Sequence, residues 1–160
     1  MTAHLKIRTM YKDTLSGTPS HEPSFTPGNQ DYSNHSRFSF NSRLDTAYLN
    51  DFYRGDLEQA ALMFEVFLNI TARSFTDMLA LAEDGDWAEV QRLAHKMKPT
   101  FELVGLTDLA SQLSDIEYAD PAYDALKPKI SRVKADFYEA LPIVMEQKHA
   151  LDHFLCGLYN

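Results

Sequence analysis

A single cysteine, Cys156, in 160 residues rules out an internal disulfide framework and fits a reducing compartment. No apolar run approaches the roughly 18 residues of a membrane span, and no charged leader precedes a short apolar stretch. Neither a transmembrane helix nor a signal peptide is therefore read, and the cytoplasm is the expected location. Cations are scarce as well: 15 Lys and Arg stand against 23 Asp and Glu, a formal charge of −8. Residues 1 to 44 carry five cations and three anions, the remainder ten and twenty, so the acidity belongs to the larger part. Such a body lacks the basic footprint that nucleic-acid phosphates demand. Also missing are a Gly-rich phosphate loop, a nucleophilic Ser or Cys beside a recognisable base, the nucleotide-binding motifs of a kinase, and any strand-like alternation.

What the chain does have is helical periodicity, beginning after an unpromising start. Residues 1–43 are rich in Ser, Thr, Pro, Asn and Gly, with apolar residues too scattered to offset the entropy of ordering, and read as a disordered tail. Residues 44–160 read as one domain. Asp45 or Thr46 caps a short helix carrying Tyr48, Leu49, Phe52 and Tyr53, stopped by Gly55 in a left-handed conformation. From Leu57 to Ala82 the positions Leu57, Ala61, Phe64, Leu68, Phe75, Met78 and Ala82 keep helical spacing, with Thr71 alone polar in the row and a bend expected near Asn69 to Thr71. Gly85 ends that helix and Asp86 caps the next. Thr107 is the expected cap of a helix with Leu109, Leu113 and Ile116 facing inward, and Pro128 fits the first turn of a last long helix interrupted by a kink at Pro142. Four substantial amphipathic helices after a short one predict an all-α fold, an antiparallel four-helix bundle.

The stretch Asp86 to Gly105 is the most informative. Trp87, Val90, Leu93, Ala94, Met97, Phe101 and Val104 form one apolar stripe, and at about 100° per residue His95 lies roughly 140° from its middle, facing water. Gln91, Lys98 and Glu102 share its face. An exposed imidazole beside a cation suits a group that gains negative charge. Elsewhere, Glu146, His149 and His153 have a spacing that could gather a metal, but on a late helix they read as a solvated face, and no metal site or cofactor is expected. His4, His21 and His35 lie in the tail without local partners.

The pattern His95, Met97, Lys98, Pro99, Gly105 resembles the phosphorylation motif of histidine-containing phosphotransfer (HPt) domains, the intermediate carriers of bacterial multistep phosphorelays. Leu109, Ala110, Leu113, Ile116 and Glu117 occupy the positions of that family's next helix. Phe52, Gly55-Asp56, the run from Phe64 to Leu68 and Gly85-Asp86-Trp87 are similar to its entry helices. The likeness spans about Leu44 to Leu151. Pro99 departs from the family's usual Gly and removes a backbone donor just after the histidine.

The resemblance implies up-and-down helix order and a phosphoacceptor role for His95, which accepts a phosphoryl group from a receiver-domain aspartate and passes it to another receiver. It further implies that Lys98 offsets the phosphate charge, that Glu117 orients the imidazole and that Gly105 permits a close helix approach or turn. Gln91, Arg92, Lys96, Pro99, Thr100 and Glu102 are the candidate receiver-contacting residues. Mg²⁺ would belong to the receiver, so the chain is expected to be a monomeric carrier and not an enzyme. Response-regulator receivers are its expected partners, with a hybrid histidine kinase as a further candidate. The alternative reading is a helical adaptor that binds a receiver and never carries phosphate.

Overall fold

In the computed structural model, residues 38–120 and 123–159 are described, and among them every regular element is helical. Helix α1, Thr46–Tyr53, begins where Asp45 accepts the Tyr48 N–H and ends at Arg54 and Gly55, both left-handed. Leu49 and Tyr53 face inward, whereas Phe52 is 47% exposed and stacks on Tyr48. The reason lies in helix length: two turns bury only one narrow row, and the register that buries Leu49 and Tyr53 turns Phe52 outward.

Next come α2, Leu57–Val66, a π-helical turn, Phe67–Thr71, and α3, Ala72–Asp84. The bend expected near Asn69 to Thr71 is this π turn. Its extra residue shifts the register, so Ile70 faces out while Thr71 is buried, its hydroxyl donating to Thr100 Oγ1 at 3.1 Å. Gly85 (φ 78°) terminates α3, with the Asp86 N–H reaching back to the Leu81 carbonyl. Asp86 then caps α4, Trp87–Glu102, by accepting the Glu89 N–H.

The α4 terminus closes in the same way. Leu106 N–H donates to the Phe101 carbonyl and Gly105 N–H to that of Glu102, with Gly105 left-handed at φ 75°. Helix α5, Thr107–Glu117, follows at once. Thr107 does not cap it as predicted: Thr107 is already helical, and its hydroxyl donates to Asp45 Oδ2 at 3.0 Å. Asp45 thus ties the start of α1 to the α4–α5 turn, its own N–H donating to the Gly105 carbonyl at 2.8 Å.

Helix α6 runs from Tyr123 to Leu158, starting earlier than Pro128 suggests and passing through both Pro128 and Pro142 without ending. A proline frees the carbonyl four residues back, which for Pro142 is that of Tyr138, on a solvent-exposed part of the helix where water can take the bond. No helix among the described residues is long and apolar enough to cross a membrane.

Packing joins α2 and α5 to α6, α3 to α4, and α4 to α5. At the centre Phe67, Phe75, Phe101 and Phe137 form one aromatic cluster, Phe75 stacking on Phe137 with centroids 4.0 Å apart and Phe67 meeting Phe101 edge-on at 5.0 Å. The packed body starts earlier than the expected boundary at residue 43. Phe38 meets Phe154 edge-on, Phe40 is buried, and the Asn41 N–H donates to Gln147 Oε1 at 2.6 Å. The rest of the predicted tail, residues 1–37, lies outside the described residues.

Two glycines with nearly the same left-handed backbone provide a test. A Cβ on Gly85 meets open space, but one on Gly105 comes within 2.9 Å of Leu49 Cδ1 and 3.0 Å of Leu44 Cβ. Gly85→Ala should carry only the left-handed penalty, about 1–2 kcal/mol. Gly105→Ala adds overpacking, typically about 1–3 kcal/mol more. Urea denaturation of both variants reads the difference; equal midpoints would remove the close approach from this account.

Candidate functional site

Helix α4 buries Val90, Ala94, Met97 and Phe101 and leaves Arg92, His95, Lys96 and Pro99 exposed. The α4–α5 turn then brings the last turn of α5 alongside. There Glu117, only 13% exposed, places Oε1 at 2.7 Å from His95 Nδ1, while His95 itself is 69% exposed. Its other oxygen, Oε2, pairs with the Lys98 ammonium. One carboxylate therefore holds both residues that the α4 pattern singles out.

The electrostatics follow from this pairing. Lys98 holds the Glu117 carboxyl below the ordinary glutamate range, against the opposing effect of burial, and the His95 contact lowers it further. Glu117 in turn raises the Lys98 ammonium above its ordinary value. An ionised carboxylate only accepts hydrogen bonds, so His95 must donate from Nδ1. The neutral ring then carries its lone pair on Nε2, which has no partner among the described residues.

Supporting contacts fix the geometry. The Gln91 amide donates to the Ile116 and Ala119 carbonyls at 3.1 and 2.8 Å, capping the end of α5 next to Glu117. Gln91 was expected to face a partner; its donors are instead engaged within the fold. Lys98 Nζ also reaches Ser114 Oγ at 3.3 Å and lies 5.3 Å from the centre of the Tyr118 ring. Neither Ser114 nor Tyr118 was picked out from the sequence. Ser114 sits one turn before Glu117, so the three-residue spacing on α5 was a usable signal; nothing local marks Tyr118.

The remaining predicted residues divide. Arg92, Lys96 and Pro99 are exposed on the His95 side of α4, with Arg92 forked onto Glu89. Thr100 does not join them: its hydroxyl donates to the Met97 carbonyl at 2.7 Å and accepts from Thr71, turning it toward the π turn. Glu102 is half-buried near the end of α4, where its charge raises the Tyr48 phenol behind the larger effect of burial. Pro99 leaves the His95 carbonyl without its usual helical donor, yet α4 continues to Glu102. Glu146, His149 and His153 lie exposed on α6, and no group of three or more His, Cys, Asp or Glu among the described residues is placed to hold a metal ion.

Because the Glu117 pKa is lowered on folding, its linkage stabilises the protein above the ordinary carboxylate range and loses that contribution as pH falls through the depressed value. A carboxyl ¹³C titration should place Glu117 below the ordinary glutamate range, and Lys98→Met should move it upward. A Glu117 midpoint unmoved by Lys98→Met would contradict the ion pair. No protein-family model, curated protein or solved structure matches this chain.

Proposed function

We propose that the chain is a phosphorelay intermediate in which His95 accepts a phosphoryl group from a receiver-domain aspartate and hands it to a second receiver. The observation that carries this reading is the imidazole itself: solvent-exposed, anchored at Nδ1 by Glu117, with Nε2 open. The antiparallel four-helix bundle belongs to the same proposal, with α2–α3, α4, α5 and α6 as its members and α1 as the preceding helix. Contacts of α3 with α4, α4 with α5, α5 with α6 and α6 with α2 support it, because they close a ring.

The chemistry is direct. Nε2 attacks the phosphorus of the acyl phosphate, the bond from phosphorus to the aspartyl oxygen breaks, and the aspartate leaves as a carboxylate. The ring gains positive charge as its lone pair is committed. Glu117, already holding Nδ1–H, faces that charge and stabilises it without moving. Transfer onward reverses the step: an aspartyl oxygen of the next receiver attacks the phosphorus and the nitrogen–phosphorus bond breaks, returning the neutral imidazole.

Nothing in this scheme requires a deep pocket, a nucleotide or a metal on this chain, since the receiver supplies Mg²⁺ and the groups that stabilise the equatorial oxygens. The chain is then a carrier rather than a kinase, acting as a cytoplasmic monomer. Arg92, Lys96 and Pro99, exposed around His95, are the residues proposed to meet the receiver.

Incubation with a phosphorylated receiver should produce an acid-labile, base-stable label on this protein that is abolished in His95→Gln. Undiminished labelling in the variant would remove His95 from the scheme. Binding that persists in both proteins with no label in either would replace the carrier by an adaptor.

A further inference from the structure

Residues 38–45 belong to no helix, yet they tie the C-terminal part of α6 to the α4–α5 turn. At the α6 end Phe38 meets Phe154 and Phe40 edge-on, with ring centres 5.2 and 5.3 Å away, and Phe40 is buried. Next to them the Asn41 N–H donates to Gln147 Oε1. At the other end Leu44 fills the space beside Gly105, while Asp45 donates to the Gly105 carbonyl and accepts from the Thr107 hydroxyl.

The middle of this strap is stiff. Leu44 N–H donates to the Asn41 carbonyl at 3.0 Å, and Arg43 N–H donates to Asn41 Oδ1 at 3.0 Å. Residues 41–44 therefore close into one hydrogen-bonded turn, braced by the side chain of its first residue. That first residue is held on α6 and the last is held against Gly105, so neither end moves without disturbing the other.

The two attachments are not equally secure. Gln147 is 3% exposed, and although its Oε1 accepts from Asn41, its Nε2 has no hydrogen-bond partner among the described residues. A buried donor left unpaired costs free energy that water returns once the group is uncovered. Lifting Asn41 off α6 opens Gln147 to water and so recovers part of what the lost contacts gave. The Arg43–Glu139 pair nearby is well exposed on both sides and adds little to the attachment. No such compensation exists at the other end, where Leu44 is buried and Asp45 has partners for both its N–H and its carboxylate.

We propose that residues 38–45 are a conformational strap that opens ahead of the bundle. Release of residues 38–41 from α6 withdraws Leu44 and Asp45 from the α4–α5 turn and loosens the start of α5, the helix whose last turn carries Glu117. The mounting of the His95 site is thereby coupled to a contact, Phe38 on Phe154, that shares no residue with it. The inference goes beyond the phosphotransfer reading and does not depend on it, since it concerns the backbone that holds α5 and not what the imidazole does.

Hydrogen exchange of single amides in the full chain, followed by NMR at low urea concentrations, tests the coupling. The Asn41, Leu44 and Asp45 amides should share one opening with those of Leu106 and Ala110, which donate to the Phe101 and Leu106 carbonyls at the α4–α5 turn. Its urea dependence should be shallower than that of the slowest core amides, the mark of an opening smaller than global unfolding. Phe38→Ala, which touches neither Gly105 nor α5, should raise all five rates together by about two- to tenfold, the size of one aromatic pair contact. Phe154→Ala removes the same contact from the α6 side and should give the same pattern.

Three results overturn the proposal. Leu106 and Ala110 amides that exchange by a separate opening and stay at their wild-type rates in Phe38→Ala would make the two attachments independent. Strap amides with the urea dependence of the core would mean that the strap opens only when the whole bundle does. Rates unchanged throughout in Phe38→Ala would mean that the contact with Phe154 does not hold the strap.

Discussion

Ala94, Met97 and Phe101 are withdrawn from water, Phe101 against the phenylalanines of the π turn, α3 and α6, and a rigid helix cannot bury that stripe without turning its opposite face outward. Burying one such apolar side chain is worth about 1.5–3 kcal/mol. A contact between exposed polar groups is worth about 1 kcal/mol or less. The orientation of His95 is therefore decided by the core and not by its own interactions. Its hydrogen bond to Glu117 refines a direction that packing has already chosen.

Glu117 needs a second constraint, because it comes from a different helix. Left-handed Gly105 turns the chain between Glu102 and Thr107, and Asp45 reinforces the turn from outside by accepting from Thr107 and donating to the Gly105 carbonyl. The space beside Gly105 is filled by Leu44 and Leu49, so the short first helix acts as a wedge against the turn. At the far end of α5, Gln91 binds the Ile116 and Ala119 carbonyls. The helix that presents Glu117 is thus fixed at both ends, one by backbone geometry and one by an amide from α4 itself. A carboxylate placed this way can orient an imidazole at little further cost in side-chain entropy.

The parts of this arrangement that depend on period were legible in the sequence. The spacing of Val90, Ala94, Met97 and Phe101 gave both the buried face and the exposure of His95, and Asp45, Gly85 and Asp86 marked ends that local backbone chemistry sets. Features that arise from contact between distant segments were not legible. Thr107 looked like a cap because its type suits one, but Asp45, sixty-two positions earlier, takes its hydroxyl. Thr100 shared a helical neighbourhood with His95, and only the π turn across from it explains why it points inward. Gln91 resembled a surface residue because the carbonyls it satisfies belong to the end of another helix. Phe38 and Asn41 looked like tail because the residues they meet lie on α6, more than a hundred positions away.

The pairing of charges around His95 also bears on how, under the proposed phosphotransfer, an acidic body would meet a partner whose chemistry uses carboxylates. Over residues 45–160 anions outnumber cations two to one, and an acidic partner should be repelled. At physiological salt, however, that field decays over about 8 Å, so the groups nearest the contact dominate. There, Arg92 is matched by Glu89 and Lys98 by Glu117, while Lys96 is exposed. Arg92 and Lys98 are both paired, so each of these two cations also holds a neighbouring carboxylate in place. Removing one changes geometry and potential together, and for that reason a charge-deleting variant at Lys98 has to be read beside one that deletes Glu117 as well.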